Sequence, residues 1–457
     1  MKSHSSQVQL PYRYSYRNIW EITYPILISL VMEQLLGMTD TAFLGRVGEI
    51  ELGASAIASI FYSVLFMLGF GFSIGAQIII GRRNGETVAS GSGDFSSTGR
   101  IFWQGTWFLL GLAVVVIIAS ETLSGTILRA VINSDLVYSA ALTYVLWRAP
   151  SFLFAYLGAM FKAFYTGTTK TKALTFNAAL LVGSNILLDW VLIFGKFGLP
   201  AMGIKGAAIA STIASAISLG HFIICAVWFT PKRYGLGNVV RPFWSEIRSI
   251  LSTAAWVMVE YVLSVGTWLF FFILIEHLGE EQLAIANIVR SISGMLYVIM
   301  AAFAATCSTL VSNIIGEGHP EGVRTVIGRV LAISYAFIMP VVAVFCIFPE
   351  SVIGIFTNIP ELIRESVPTL WVMCVGTLLT VPSNTYLQAV VGTGNTRTSF
   401  RLDVYSLIIY IVYCLIVVGT LKANVAISWT ADWVYGLGLW LFCGLYIRSG
   451  KWVGRKV

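Results

Sequence analysis

Among the carboxylates inside apolar runs are Glu33 and Asp40 in the first, Asp189 in the fifth and Glu260 in the seventh. A carboxylate in hydrocarbon costs roughly 2.5–3.5 kcal/mol on insertion scales, so it normally faces a partner or a wet cavity. Glu33 and Asp40 are seven apart and share a helical face. Asn185 stands four residues before Asp189, on the same face. Two carboxylates with amide and hydroxyl oxygens in a dry cavity suit a proton or a sodium ion, both hard and oxygen-seeking. Two close carboxylates cannot both ionise cheaply, which makes a proton-binding site plausible. The candidate cation set is therefore Asp40, Asn185 and Asp189, with Ser211 and Thr212 of GAAIAST able to complete it. Glu33, Gln77 and Glu260 are candidates to line a polar cavity. Simpler readings stay open. Asp40 is close to the charged GRVGE turn and could sit in water. Asn185 and Asp189 could be a structural hydrogen-bonded pair, and the small residues around Ser211 could serve helix packing.

The elements that must hold these residues are membrane spans. Of 457 residues, 57% are hydrophobic and only 11% are charged, against about 25% charged in a soluble domain. Spans of about 20 apolar residues fall at 18–44, 52–81, 101–120, 136–165, 173–195, 204–229, 249–277, 283–315, 324–348, 365–391, 399–420 and 426–448. The fold class expected is all-α and polytopic, with twelve transmembrane helices. The first apolar run has no small-residue cleavage site after a short apolar core, so no cleaved signal peptide is expected.

Lys and Arg placement orients the chain. One set of loops, which includes Lys162, Lys170 and Lys172, collects 21 of the 29 basic residues. The opposite loops are acidic, with Glu280, Glu281, Glu361 and Glu365. Both termini are then cytoplasmic, in a plasma membrane and, by expectation, a bacterial inner membrane. The remaining basic residues include Arg148 and Arg290, which are read as snorkelling or structural. The net charge of +7 is loop charge rather than a sign of nucleic-acid binding.

The longest cytoplasmic connection, 230–246, carries Pro and Gly and divides the chain into 1–235 and 236–457, each with six spans. The halves repeat. MEQLLGMTD (32–40) pairs with VEYVLSVGT (259–267), GTTKTK (167–172) with GTGNTR (392–397), and IIIGRRNGE (78–86) with NIIGEGHPE (313–321). Six spans per half put both halves in the same orientation, the parallel repeat that transporters use. Glu33 keeps a mate in Glu260, whereas Asp40 pairs with Thr267. The eleventh span's LIIYIVYCLIVVG has no acid to match Asp189. The ionisable chemistry is concentrated in the first half.

No phosphate loop, zinc pattern, nucleophile elbow or kinase signature is present, so no enzyme and no cofactor is expected. The six cysteines lack CxxC spacing and read as small buried hydrophobes. Transport would draw on an ion gradient or on no input.

Taken together, the P-x7-E-x6-D-T run at 25–41, the GFSIGAQIIIG segment, the G-T-x-x-T-K/R turns and the N-x3-D of the fifth span resemble the multidrug and toxic compound extrusion (MATE) family. The resemblance covers essentially the whole chain. It implies two lobes that open alternately and export small cationic, amphipathic compounds by proton or sodium antiport, acting as a monomer among membrane lipids. It implies that Asp40, Asn185 and Asp189 hold the coupling ion, with Na+ as the one metal the site would take. It places Ser211 where the family has a threonine, and Pro25 where the first helix bends. Glu33, Gln77 and Glu260 become substrate-cavity candidates. Two departures stand out. Trp190 follows Asp189 where proline is common, and the tenth span lacks an acid around Thr380–Gln388. The second departure points to the DinF-like branch. The nearest rival is a lipid-linked precursor flippase of the same superfamily; a channel or membrane scaffold is the rival from another class.

Overall fold

A computed structural model describes residues 14–454. Four of the 21 basic residues assigned to the cytoplasmic loops, Lys2, Arg13, Arg455 and Lys456, lie outside the described residues. Among the described residues the chain is helical throughout, with no strand. The helices are α1 (Tyr16–Gly45), α2 (Glu49–Ser90), α3 (Ser96–Val131), α4 (Asp135–Arg148), α5 (Ser151–Gly167), α6 (Lys172–Phe194), α7 (Gly203–Ile224), α8 (Trp244–Glu276), α9 (Glu280–Gly316), α10 (Val323–Ile347), α11 (Pro349–Ile353), α12 (Pro360–Gly392), α13 (Thr396–Cys414), α14 (Val425–Ser428) and α15 (Ala431–Ser449).

Among the described residues, ten helical stretches are long and apolar enough to cross a membrane. The other two expected spans are composite. The fourth is α4 and α5, separated at Ala149-Pro150. Pro150 has no N–H to donate, and its ring displaces the carbonyl four residues back. The twelfth is α15, led in by the short α14, whose N-cap Asn424 accepts from Ile427 N at 3.0 Å. Several helices outrun the expected spans. α2 continues to Ser90, so Arg82 and Arg83 belong to a helix rather than a loop, and Arg82 is buried. Lys162, expected in a cytoplasmic loop, lies inside α5.

The chain forms two compact units, Ile28–Val262 and Met1–Leu27 with Leu263–Val457. The changeovers fall inside α1 and α8, not in the 230–246 connection. α1 runs as one helix through Pro25 and changes unit two residues later.

In the unit Ile28–Val262, α2 packs on α3, α4 and α5, and α7 packs on α4, α5 and α6. The α6–α7 crossing is tight. A Cβ at Gly206 would stand 2.7 Å from the Leu192 carbonyl, so only glycine fits; small residues at such crossings let backbones approach. α6 stops at Gly195, whose φ of 66° is left-handed backbone, the usual helix terminator. In the other unit, α9 and α12 form the centre and α10, α13 and α15 surround them. The buried Trp429 there meets Phe271 edge-on, with ring centroids 5.5 Å apart.

Candidate cation site

α6 buries Asn177, Ala178, Val182, Asn185, Asp189 and Leu192, a three-and-four spacing that forms one helical face. The polar members of this face clamp α7. Asn177 Nδ2 donates to Ser218 O at 2.8 Å, and Ser218 Oγ donates back to Asn177 Oδ1 at 2.9 Å. Two turns on, the Asn185 side-chain amide and Ser211 Oγ are 3.2 Å apart. The amide orientation that satisfies its neighbours has Ser211 Oγ donating to Asn185 Oδ1, and Asn185 Nδ2 donating to Asp40 Oδ1 at 2.9 Å and to Asp189 Oδ2 at 3.1 Å. The carboxyl groups of Asp40 and Asp189 are within hydrogen-bond reach of each other. Asn185 and Asp189 are 0% exposed, so water cannot substitute for these bonds; Asp40 is half-buried. Asp189 Oδ1 is buried with no donor.

Thus three helices bring Asp40, Asn185, Asp189 and Ser211 into one hydrogen-bonded group. Thr212 is not in it. Its hydroxyl donates to Ala208 O at 2.8 Å and to Trp147 O at 3.2 Å. It pins the end of α4, where Lys205 Nζ also lies 4.1 Å above the Trp147 ring.

For the next residue, Arg148, read from the sequence as snorkelling or structural, the structure sets aside snorkelling. It sits at the break between α4 and α5, in the middle of a composite span, where a snorkelling residue would not be. Its guanidinium lies 4.5 Å from the Tyr62 ring centroid and 5.5 Å from that of Tyr144, close enough to both Asp40 and Asp189 to interact electrostatically. Its Nη1 is buried without a partner. The signal in the sequence was an arginine before a proline that splits an apolar run.

Of the cavity candidates, Glu33 has its own partners. Glu33 pairs with Lys162 of α5, and Ser29 Oγ donates to the same Glu33 oxygen at 3.3 Å. Both members of the pair are about one-third exposed. Gln77 is buried in α2 and Glu260 in α8; neither is among the residues Asn185 joins. The second half is not free of buried acids either. Asp403, early on α13, is buried and accepts from Tyr435 OH at 2.8 Å.

Comparison with known proteins agrees with the fold. The chain is 26% identical over 450 residues to "Probable multidrug resistance protein NorM" of Thermotoga maritima, covering 96% of this chain and 94% of the relative. It is 22% identical over 358 residues to the protein of the same name from Neisseria meningitidis serogroup B, covering 78% and 76%. A solved structure described as the outward-facing conformation of a multidrug resistance MATE family transporter of the MOP superfamily superposes with a TM-score of 0.85. It shares 18% identity and covers 95% of this chain and 96% of that one. The MatE family model matches residues 25–191 and 257–416, one stretch in each repeated half and together most of the chain, and on that match this chain belongs to the MATE family of multi-pass membrane transporters.

Proposed function

We propose that the chain is a cation-coupled antiporter that exports amphipathic, often cationic, organic compounds by alternating access. The observation that carries this reading is the contact of Asp40 on α1 with Asn185 and Asp189 on α6. Two acids in one buried group can take up and release a cation as their surroundings change. Coupling requires that ion and substrate differ in affinity between two states. α1 is suited to report ion occupancy, because it carries both Asp40 and the helix-weakening Pro25. Glu33, Gln77 and Glu260 are assigned to the substrate cavity. The names of the relatives, multidrug resistance proteins, support drug-like substrates. The flippase reading calls for a cationic cavity, and Lys162 is already paired with Glu33. The protein would act as a monomer in a bacterial inner membrane, with both termini in the cytoplasm.

The test is export of a fluorescent organic cation by the purified protein in liposomes, under an imposed pH gradient and separately under a Na+ gradient. Export driven by either gradient and lost in Asp40→Asn is expected. Export that ignores both gradients would remove ion coupling.

A further inference from the structure

We infer that Lys170 and Arg233 form a binding site for the phosphate of an anionic phospholipid in the cytoplasmic leaflet. The site takes the orientation expected from Lys and Arg placement. It goes beyond the antiport reading and does not depend on it.

The two cations stand around one aromatic ring. Lys170 Nζ lies 4.5 Å from the Tyr234 ring centroid. The Arg233 guanidinium carbon lies 5.9 Å from that centroid and 4.6 Å from the centroid of Phe95. The ring is a fixed platform. Tyr234 is buried, its hydroxyl donates to Asn84 Oδ1 at 3.3 Å, and Phe95 packs on it with centroids 4.9 Å apart. Among the described residues neither cation has an acid at ion-pair distance. The acids on the same side of the chain are engaged elsewhere. Asp94 accepts from Ser96 N at 2.9 Å, Glu86 pairs with Arg83, and Glu246 pairs with Arg100. Partial burial, and then the Arg233 charge, push the Lys170 ammonium below its ordinary value. Like charges held close disfavour each other, and a phosphate with its several acceptor oxygens can take donors from both.

The turn that presents Lys170 is a costly one. Thr169 takes φ 59°, left-handed backbone that is unfavourable for a β-branched residue. The matching place in the second repeat is Gly394, with φ 81°. The residue matching Lys170 there is Asn395, which is buried and donates to Tyr446 OH. One repeat therefore uses this position for a structural hydrogen bond. The other sets there a cation without an acid.

The occupant is a lipid because the cations stand beside a membrane surface. α7 runs into a single wide turn, Cys225–Phe229, whose Trp228 and Phe229 are 78% and 77% exposed. Thr230 follows, with its hydroxyl 3.0 Å from Tyr165 OH, and Arg233 comes three residues later. Exposed aromatic residues at the end of a span mark the headgroup level, and basic groups at that level attract anionic headgroups. Trp228 and Phe229 offer the acyl chains an apolar surface next to the phosphate site.

The experiment titrates the purified protein, in a neutral detergent, with phosphatidylglycerol and separately with phosphatidylcholine. Bound lipid is read by native mass spectrometry. Wild type should prefer phosphatidylglycerol. Lys170→Gln and Arg233→Gln should each weaken its binding on the order of fivefold, and the double variant on the order of thirtyfold. Phosphatidylcholine binding should be the same in all of them. Lys172→Gln, the same charge change two residues away, should bind both lipids as wild type does. Equal binding of the two lipids by wild type overturns the inference, as does a loss in Lys172→Gln as large as in Lys170→Gln. Displacement of phosphatidylglycerol by an equal concentration of inorganic phosphate would make the occupant a free anion and overturn the lipid assignment. If the double variant fails to fold, Arg233→Gln and Lys170→Asn, the residue type of the second repeat, still decide. A folded single variant that keeps wild-type phosphatidylglycerol binding refutes the site.

Discussion

Replacing Asn185 with alanine should be among the most damaging single changes in the unit Ile28–Val262. The asparagine makes three hydrogen bonds, two of them donated to carboxylates at 2.9 and 3.1 Å and one accepted from Ser211 at 3.2 Å. A hydrogen bond to a charged group contributes about 1.5–3 kcal/mol, and a neutral one about 1 kcal/mol. Asp40 is half-buried, so water recovers much of its share, whereas Asp189 is 0% exposed and already has one oxygen without a donor. The net cost of Asn185→Ala should be about 3 kcal/mol, dominated by the stranded Asp189. For a unit of this size that corresponds to a fall of roughly 6–12 °C in Tm. Ser211→Ala removes only the neutral bond and should lower Tm by roughly 2–4 °C. Thermal unfolding of the purified variants in one detergent, followed by tryptophan fluorescence, reads both values. An unchanged Tm for Asn185→Ala, or a larger drop for Ser211→Ala, would refute the claim that this amide holds the group together.

Asp40→Asn and Asp189→Asn should each abolish gradient-driven export, and the double variant should be little worse than either, because groups acting as one site are non-additive; additive partial losses would argue for two separate sites. Lys162→Met should destabilise more than the Lys162→Met/Glu33→Gln pair, with a coupling of about 1 kcal/mol for a pair one-third exposed, read from a double-mutant cycle of Tm values. Gly99→Ala should lower stability by about 1–3 kcal/mol, because its Cβ would fall 1.8 Å from the Tyr234 carbonyl oxygen; normal expression and Tm would show that this loop yields freely.

The regular features of this chain were legible because they follow from spacing. Apolar run length located the spans, and the i, i+4 relation put Asn185 and Asp189 on one face. The break at Pro150 was written in the sequence, but an apolar run of that length reads as one span until the proline is weighed against it. Which distant side chains meet was not legible from residue types. Nothing in YVLWRAP says that Arg148 approaches Asp40, or that Lys162 reaches Glu33 on α1 rather than water. Thr212 and Ser211 looked interchangeable on α7. One residue is about 100° of helix, and that rotation sends Ser211 to Asn185 and Thr212 to the end of α4. Asp403 was overlooked because its stretch, TRTSFRLD, reads as a polar helix start, and the Tyr435 that covers it comes from α15.

The central claim, that Asp40 and Asp189 share the ion exchanged for substrate, is tested most directly by proton release when an organic cation is added to the purified protein in weakly buffered detergent solution. Wild type should release protons in saturable proportion to bound substrate, and Asp40→Asn and Asp189→Asn should bind substrate without releasing them. Undiminished release from either variant would contradict the account.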